Sequence, residues 1–530
     1  MRARFHEADT MDWDYLIDYV IMAVFAAAMI GIAIYTRSRS SSVNDFLLAG
    51  KKGLNGWMSA FSYGTTYFSA VIFIGYAGQF GKTYGLASVW IGVGNAIFGA
   101  LVAWLVLAKR TKNMTRRLEA KTMPEFFEKR YNSKALKLVT ATIIFVFLIP
   151  YSASVYNGIS SLFQTIYDID GWIVMIALAV LSAGYLFFGG YFATALSDFV
   201  QGIIMIIGVT VMFFFFMGHQ NVSWDISELL NNPNLTLFTF NGENSGGLYG
   251  STVSLIALIL LTSIGVWGLP QTIHKYYAVR DKKAIKQGVI VSTIFALLIG
   301  FIAYYTGALS YFFDAELKGV GNNYSLIIPT MLSLLPVGLT GLISVLIVSA
   351  SMSTLSSVSL ASASVVAVDI YKGSINKKAS DKNVSWVMRV LCLVFILISV
   401  VIAILNEKFN LTAIAYLMGI SWGTLSGCFM GPFVIGLLWK RVTKPAVWAS
   451  IGTSLTLTLS LIFILGVCHP SFEGTFASAL KNGISCSPLI GVICMISSVL
   501  VTVIVSLLTK KPSDEVIYNA FEKSFEGEIK

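Results

Sequence analysis

Long apolar stretches recur along this chain and are separated by shorter polar segments. A helix that crosses a hydrocarbon layer roughly 30 Å thick needs about 20 apolar residues, and about thirteen stretches reach that length. We number them as spans one to thirteen: 14–36, 57–80, 86–108, 135–164, 171–188, 192–217, 251–278, 285–313, 338–368, 386–405, 412–437, 446–468 and 488–509. The pattern predicts an all-α integral membrane protein, because a membrane β-barrel would show short alternating segments instead.

Two of these spans are interrupted by residues that weaken helices. Span two contains SYGTTYFSA (62–70), and span seven contains SIGVWGLPQT (263–272) with Pro270. Glycine and proline are common in membrane helices, so either interruption alone is a weak signal. Together they lie five spans apart, as expected for two inverted repeats at 57–217 and 251–437. Broken helices at matching positions of such repeats indicate the binding site of a transporter.

The rest of the chain adds little outside the helical bundle. Span one, 14–36, is predicted to be an extra N-terminal helix, and 446–509 holds two extra C-terminal helices. A polar cytoplasmic tail, 512–530, follows. We therefore expect one membrane transport domain over residues 1–530, with no soluble kinase, nucleotide-binding or receptor module.

Composition and charge agree with this assignment. The chain is 56% hydrophobic and 12% charged, about half the charged fraction of ordinary soluble domains. Its net charge is +10. The Lys and Arg residues fall in alternate loops, with a dense basic stretch at 109–121 and no Lys or Arg in 218–250. This positive-inside pattern predicts a cell-membrane protein with its N-terminus outside and its C-terminus in the cytoplasm. It argues against a nucleic-acid partner.

Two details stay open at the level of sequence. We expect no cleavable signal peptide in the N-terminal segment, and Met11 is an alternative start to Met1. Cys468 and Cys486 lie at the two ends of one predicted outer loop, where they could form a disulfide or remain free thiols.

Span nine carries an unusual run of hydroxyl side chains, SASMSTLSSVSLAS (349–362). Ser353, Ser356 and Ser357 share one helix face, because residues three and four apart are neighbours. Small hydroxyls often serve only close packing, but neutral oxygens in this number also suit a monovalent cation such as Na⁺. Asp198, near the predicted cytoplasmic end of span six, is either a buried partner or an interfacial acid.

Several motifs give the chain a family resemblance. They are NDFLLAG (44–50), SYGTTYFSAVIFIG from residue 62, MPEFFEKRY (123–131), SDFVQG (197–202), GVWGLPQTI (265–273), and ASMSTLSS with the later VDIYKG in span nine. With these motifs the sequence resembles the sodium:solute symporter family of proline, pantothenate, sugar and sialic acid transporters. The resemblance implies a leucine-transporter-like five-plus-five inverted repeat.

The resemblance also implies sodium sites. The first sodium ion would be held between spans two and nine by the carbonyls of Thr65, Phe68 and Ala350 and the hydroxyls of Ser353 and Thr354. A second site, present in some members of the family, corresponds to Asp198, Ser356 and Ser357, with Ser353 shared. Two coupled sodium ions are therefore expected, with no organic cofactor.

The solute is less well defined than the ion. Proline transporters carry an aspartate where this chain has Tyr67 and aromatic residues where it has Thr262 and Val266, although their tyrosine in span four is matched. The sugar-transporter contacts are also replaced, while GVWGLPQT is nearer the pantothenate type and FSAV resembles the monocarboxylate and vitamin carriers. The solute class stays open. The predicted pocket consists of Tyr67, Ser69, Tyr151, Asn157, Ser263 and Trp267.

The sequence thus predicts sodium-coupled import of a small organic solute across the lipid bilayer by alternating access. A membrane sensor or an ion channel built on the same fold is the alternative. An enzyme is disfavoured, because the four histidines are extramembrane or near a helix end and no paired acids or activated nucleophile lie at mid-span.

Overall fold

The structure is a computed structural model that describes residues 15–36, 43–48, 53–232, 235–237, 251–321, 323–409, 413–524 and 528–529. The basic residues at 37–39 and 51–52, the alternative start Met11 and the end of the NDFLLAG motif lie outside these residues. The described residues are mostly helical, and their β-pairing is limited to one isolated bridge between Leu54 and Val279. The prediction of an all-α protein is confirmed.

The long helices follow the predicted spans closely. In chain order they are α1 Leu16–Thr36, α2 Gly56–Tyr67, α3 Val71–Arg117, α4 Lys134–Tyr167, α5 Gly171–Gly218, α6 Thr252–Gly268, α7 Pro270–Tyr277, α8 Lys282–Phe313, α9 Leu339–Ile375, α10 Asp381–Phe409, α11 Ile414–Leu438, α12 Lys444–Val467 and α13 Ser487–Leu508. Ten helices of the described part are long and apolar enough to cross a bilayer, or eleven with α6 and α7 joined. The span count of thirteen stays a prediction.

The count of apolar helices is lower than thirteen because two long helical runs each extend across a kink from one predicted span into the next. Helix α5 covers spans five and six, and Gly190 at φ 64° and ψ −167° kinks it between them. Helix α3 covers the last part of span two and all of span three, with Gly85 at φ 56° between the two. Glycine adopts positive φ without the steric cost that a Cβ would bring. The kink at Gly190 lies between the predicted spans 171–188 and 192–217.

Both predicted interruptions are present. Helix α2 ends at Tyr67, Phe68 has an extended backbone with φ −105° and ψ 106°, and α3 begins at Val71. Helices α6 and α7 meet at a bend of 46°. Pro270 is the first residue of α7, where its missing N–H costs no helical hydrogen bond. Irregular backbone in a membrane protein must be packed inside protein or line a cavity. A binding site is therefore expected next to these two breaks.

Helix α9 lies at the centre of the bundle. It packs against α4, α5 and α2, and the whole hydroxyl run from 349 to 362 is buried. Peripheral helices instead expose large apolar side chains: Leu459 is 69% exposed on α12, and Leu397 is 64% exposed on α10. A lipid environment accounts for such surfaces. Cys468 and Cys486 are both free thiols in the structure.

Candidate cation and solute sites

The break after α2 brings oxygen atoms of two helices together. The carbonyl of Thr65 accepts hydrogen bonds from Ser353 Oγ at 3.1 Å and from Thr354 Oγ1 at 3.4 Å. Ser353 Oγ also lies 3.2 Å from the carbonyl oxygen of Ala350. Thr65 belongs to the last turn of α2, where carbonyls lack helical N–H partners. We call this group of Thr65, Ala350, Ser353 and Thr354 the neutral cluster.

The neutral cluster contains four of the five residues predicted for the first sodium ion. The fifth, Phe68, forms the break itself, and its side chain packs against Tyr67 and Phe295. All these residues are buried. Uncharged hydroxyl and carbonyl oxygens suit a hard monovalent cation, so the donor set fits sodium. Their role as ligands stays a prediction.

Two predicted pocket residues lie beside the neutral cluster. The Tyr151 hydroxyl of α4 is next to Ser69 and Thr354, and its ring meets Trp422 edge-on at 5.6 Å. Among the described residues the hydroxyls of Ser69 and Thr354 are its polar neighbours, and neither forms a well-aligned hydrogen bond with it. Ser69 Oγ lies 3.3 Å from the Val71 amide at the start of α3. A buried hydroxyl that is incompletely hydrogen-bonded is unusual and is available to a bound ion or solute.

Tyr67 lies on the other side of the break. Its hydroxyl donates to the carbonyl of Thr262 in α6 at 2.6 Å, and its ring stacks on Trp422 with centroids 6.1 Å apart. Tyr67 therefore connects the two interrupted helices directly, and Trp422 contacts both Tyr67 and Tyr151.

The other predicted pocket residues on α6 face a different neighbour. Ser263 Oγ lies 3.2 Å from Asn95 Oδ1, and Trp267 Nε1 donates to the carbonyl of Phe98 at 2.9 Å. Asn95 and Phe98 belong to α3. The structure thus does not bring Ser263 and Trp267 to the same place as Ser69 and Tyr151.

Asn157 is placed at a separate cavity. Its amide donates to the Ala403 carbonyl at 2.8 Å and accepts from Asn406 at 2.9 Å. It lines a polar cavity of ≈ 490 Å³ together with Gln164, Glu407 and other residues. This cavity lies at the ends of α4 and α10 that are predicted to face outward.

Asp198 of α5 is fully buried within the protein. Its Oδ2 accepts a hydrogen bond from Ser62 Oγ at 2.6 Å. A lysine that was not predicted as a site residue lies next to it: Lys275 of α7, itself 2% exposed. Lys275 Nζ is 3.5 Å from Asp198 Oδ2, 2.9 Å from Ser62 Oγ and 2.8 Å from Ser357 Oγ. We call Asp198, Ser62, Lys275 and Ser357 the charged cluster.

The predicted second sodium site is thus only partly assembled around Asp198. Ser357 belongs to the charged cluster, where its Oγ also lies 2.8 Å from Thr66 Oγ1. Ser356 Oγ instead donates to the carbonyl of Ser353 at 2.9 Å within its own helix. Ser353 faces the neutral cluster.

A sequence signal for Lys275 existed. Asp198 and Lys275 are opposite charges inside predicted spans six and seven, and both lie near the ends predicted to face the cytoplasm. Charged residues within membrane spans commonly pair with one another. A search for opposite charges at equal predicted depth would have linked them.

Comparisons with known proteins identify sequences and folds that this chain resembles. The sequence model of the sodium:solute symporter family matches residues 46–452. The chain is 28% identical to an osmoregulated proline transporter of Bacillus subtilis over 93% of this chain and 95% of that protein. It is 29% identical to a sodium/proline symporter of Haemophilus influenzae, over 80% of this chain and 84% of that protein. A sodium/proline symporter of Staphylococcus aureus is 26% identical over 93% of both chains.

Solved structures show the same fold. A Na⁺-coupled sialic acid symporter, in a substrate-bound outward-open state, superposes with a TM-score of 0.74 at 19% identity, covering 94% of this chain and 99% of that one. A manganese transporter of Eremococcus coleocola follows with a TM-score of 0.51 at 12% identity, covering 88% and 99%. At these identities the likeness concerns the fold alone.

Proposed function

The chain belongs to the sodium:solute symporter family, and on this premise we propose that it imports a small organic solute together with sodium by alternating access. It is a multi-pass membrane transporter and not an enzyme. The proposal includes the orientation inferred from charge, with the N-terminus outside and the C-terminus in the cytoplasm. It also includes the division into repeats at 57–217 and 251–437.

The observation that carries the proposal is the neutral cluster at the break of α2. A sodium ion held there by Thr65, Ser353 and Thr354, with the carbonyls of Phe68 and Ala350, would join a helix of the first repeat to a helix of the second. An ion that binds one arrangement of the two repeats more tightly than the other shifts the equilibrium towards that arrangement. This is how an ion gradient can be coupled to the movement of a solute.

The solute site is proposed beside the same break. Tyr67, Ser69 and Tyr151 are each at most 1% exposed, so a solute reaches them only after the repeats move. The cavity at Asn157 would then serve as the outer approach. Ser263 and Trp267 would join the pocket only in a state in which α6 has moved relative to α3.

Proline and similar small amino acids are the first solutes to test, because the relatives described above are proline transporters. The substitution at Tyr67 argues for a pocket that differs from theirs. A carboxylate of the solute would be recognised by hydroxyls and by free N–H groups of the interrupted helices, whose N-terminal ends favour anions. Pantothenate, short monocarboxylates, sugars and sialic acid complete the panel.

The test is solute-evoked current from purified protein in proteoliposomes on a solid-supported membrane, in Na⁺ and then in choline. Each sodium ion that enters through 100 mV supplies about 2.3 kcal/mol, or about fiftyfold in solute gradient. A current that requires both solute and Na⁺ supports the proposal. Steady Na⁺ current without any solute would favour a channel, and solute current that persists in choline would overturn sodium coupling.

A matched pair of variants localises the coupling. Ser353→Ala with Thr354→Ala removes two hydroxyls of the neutral cluster. Ser362→Ala removes a hydroxyl that is equally buried in α9 and has no hydrogen-bond partner among the described residues. Only the first variant should lose sodium dependence.

A further inference from the structure

The charged cluster already contains a cation in the place where the family resemblance predicts a second sodium ion. An ammonium group has three donors, and Lys275 has three oxygen neighbours: Ser357 Oγ at 2.8 Å, Ser62 Oγ at 2.9 Å and Asp198 Oδ2 at 3.5 Å. The ring of Tyr191 adds a cation–π contact, with its centroid 5.2 Å from Nζ. The lysine therefore uses the same oxygens that an ion at this place would need.

Charge balance points the same way. Asp198 and Lys275 are both buried and carry opposite charges, so together they are neutral. A sodium ion added between Asp198 and Ser357 would overlap the ammonium nitrogen, which lies within 3.5 Å of both. If the ion lay beside it instead, the cluster would carry an uncompensated positive charge inside the bundle, which is strongly unfavourable.

The position of Lys275 in the chain matters as well. It lies in α7, directly after the break of the second interrupted helix, and it contacts α2, α5 and α9 through Ser62, Asp198 and Ser357. Thr66 Oγ1, next in the chain to Thr65 of the neutral cluster, lies 2.8 Å from Ser357 Oγ. The two clusters thus share α2 and α9, and they differ in which cation they can accept.

We propose that the ammonium group of Lys275 is the resident cation of the Asp198 site, so that the protein binds one sodium ion, at the neutral cluster. The inference rests on the proposed function for that single sodium site. It replaces the expected ratio of two sodium ions per solute with a ratio of one. A membrane potential of 100 mV would then support a solute gradient of about fiftyfold. Two sodium ions per solute would support the square of that ratio.

The test counts bound ²²Na⁺ on the purified full-length protein in detergent, without any solute. We expect one ion in the unmodified protein. Lys275→Met keeps the length of the stem but removes the charge, so the unpaired Asp198 should bind a second ion and the count should rise to two. Lys275→Met with Asp198→Asn should return the count to one. Monodispersity and the unfolding temperature establish that each variant is folded.

Each outcome decides a different statement. Two ions in the unmodified protein, or one in a folded Lys275→Met variant, would overturn the assignment of Lys275. If Lys275→Met does not fold, the unmodified protein is compared with Ser353→Ala/Thr354→Ala: counts of one and zero support the proposal, and counts of two and one reject it. No ion bound to the unmodified protein would contradict the sodium site of the proposed function, whereas silence in the solute panel leaves these counts unaffected.

Discussion

The neutral and charged clusters share two helices, yet one contains only uncharged oxygens and the other contains a charged pair. Thr65 and Thr66, adjacent in α2, face one cluster each, and Ser353 and Ser357 face them from α9. In the neutral cluster only uncharged oxygens meet, so a cation must come from solution. In the charged cluster Asp198 and Lys275 supply both signs. The comparison teaches that one hydroxyl-rich helix can present only uncharged oxygens at one turn and contact a buried ion pair of other helices at the next.

This difference has an energetic basis. A cation held by neutral dipoles can leave at modest cost, which a transport cycle requires. A buried ion pair, by contrast, is costly to break, because removing one partner leaves the other charge uncompensated. We therefore expect the neutral cluster to determine sodium binding and the charged cluster to determine stability.

The largest expected effect is on stability, from Asp198→Asn. The variant leaves the buried Lys275 ammonium without its counter-charge, and such a loss costs about 3–5 kcal/mol. Lys275→Met combined with Asp198→Asn should recover most of that loss, because both charges are then absent. The measurement is the free energy of unfolding in detergent, or the unfolding temperature where unfolding is irreversible.

The double variant is the control for this prediction. Additive losses from the two substitutions would mean that the charges do not depend on one another, contrary to the contact at 3.5 Å. A small change in the free energy of unfolding for Asp198→Asn alone would also contradict the prediction that the charged cluster determines stability.

The sequence predicted the helices and helix breaks that build the two clusters better than it predicted the side-chain contacts within them. Apolar length and the Gly and Pro interruptions are local features, so both helix breaks could be located from the chain itself. The shared face of Ser353 and Ser357 likewise follows from helical periodicity. The direction of each hydroxyl does not: Ser356 lies on the same face and bonds back to its own helix, because a short side chain has several rotamers open to it.

The pairing of Lys275 with Asp198 is the contact that the sequence analysis missed, although both charges lie at similar predicted depth. Lys275 lies in the last turn of a predicted span, where a lysine usually extends towards the membrane surface. In the structure α7 packs against α2 and α9, and this packing brings Lys275 next to Asp198. The orientation of Ser263 and Trp267 was uncertain for a related reason. The break at Leu269 interrupts the helical periodicity by which a facing direction is inferred.

The second expected effect is on sodium affinity, from Ser353→Ala with Thr354→Ala. A hydrogen bond to a charged group contributes about 1.5–3 kcal/mol, so losing two hydroxyl ligands should raise the half-saturating Na⁺ concentration by about a hundredfold or more. Solute-evoked currents across a Na⁺ titration measure it. Ser362→Ala is the control and should stay within about twofold of the unmodified protein. Equal Na⁺ titration curves for all three proteins would show that the neutral cluster does not bind sodium.

The smallest expected effect comes from Thr66→Val, which tests whether the clusters act separately. Valine keeps the shape of threonine but loses the hydroxyl that lies 2.8 Å from Ser357 Oγ and donates to the Ser62 carbonyl at 2.7 Å. Each hydrogen bond contributes about 0.5–1.5 kcal/mol to stability, so losing both contacts should lower the unfolding free energy by about 1–3 kcal/mol. Half-saturation by Na⁺ should stay within about twofold, because the contacts of Thr65 do not involve this hydroxyl.

Thr65→Ser is the matched comparison on the preceding residue, because it keeps the carbonyl that faces Ser353 and changes only the side chain. Its hydroxyl can still bond to the Phe61 carbonyl, as the threonine does at 2.9 Å. A tenfold loss of Na⁺ affinity in Thr66→Val, with Thr65→Ser unaffected, would mean that the Ser357 hydroxyl transmits the state of the charged cluster to the sodium site. The two clusters would then be one coupled unit, and Lys275 would help set the affinity for the ion that it does not touch.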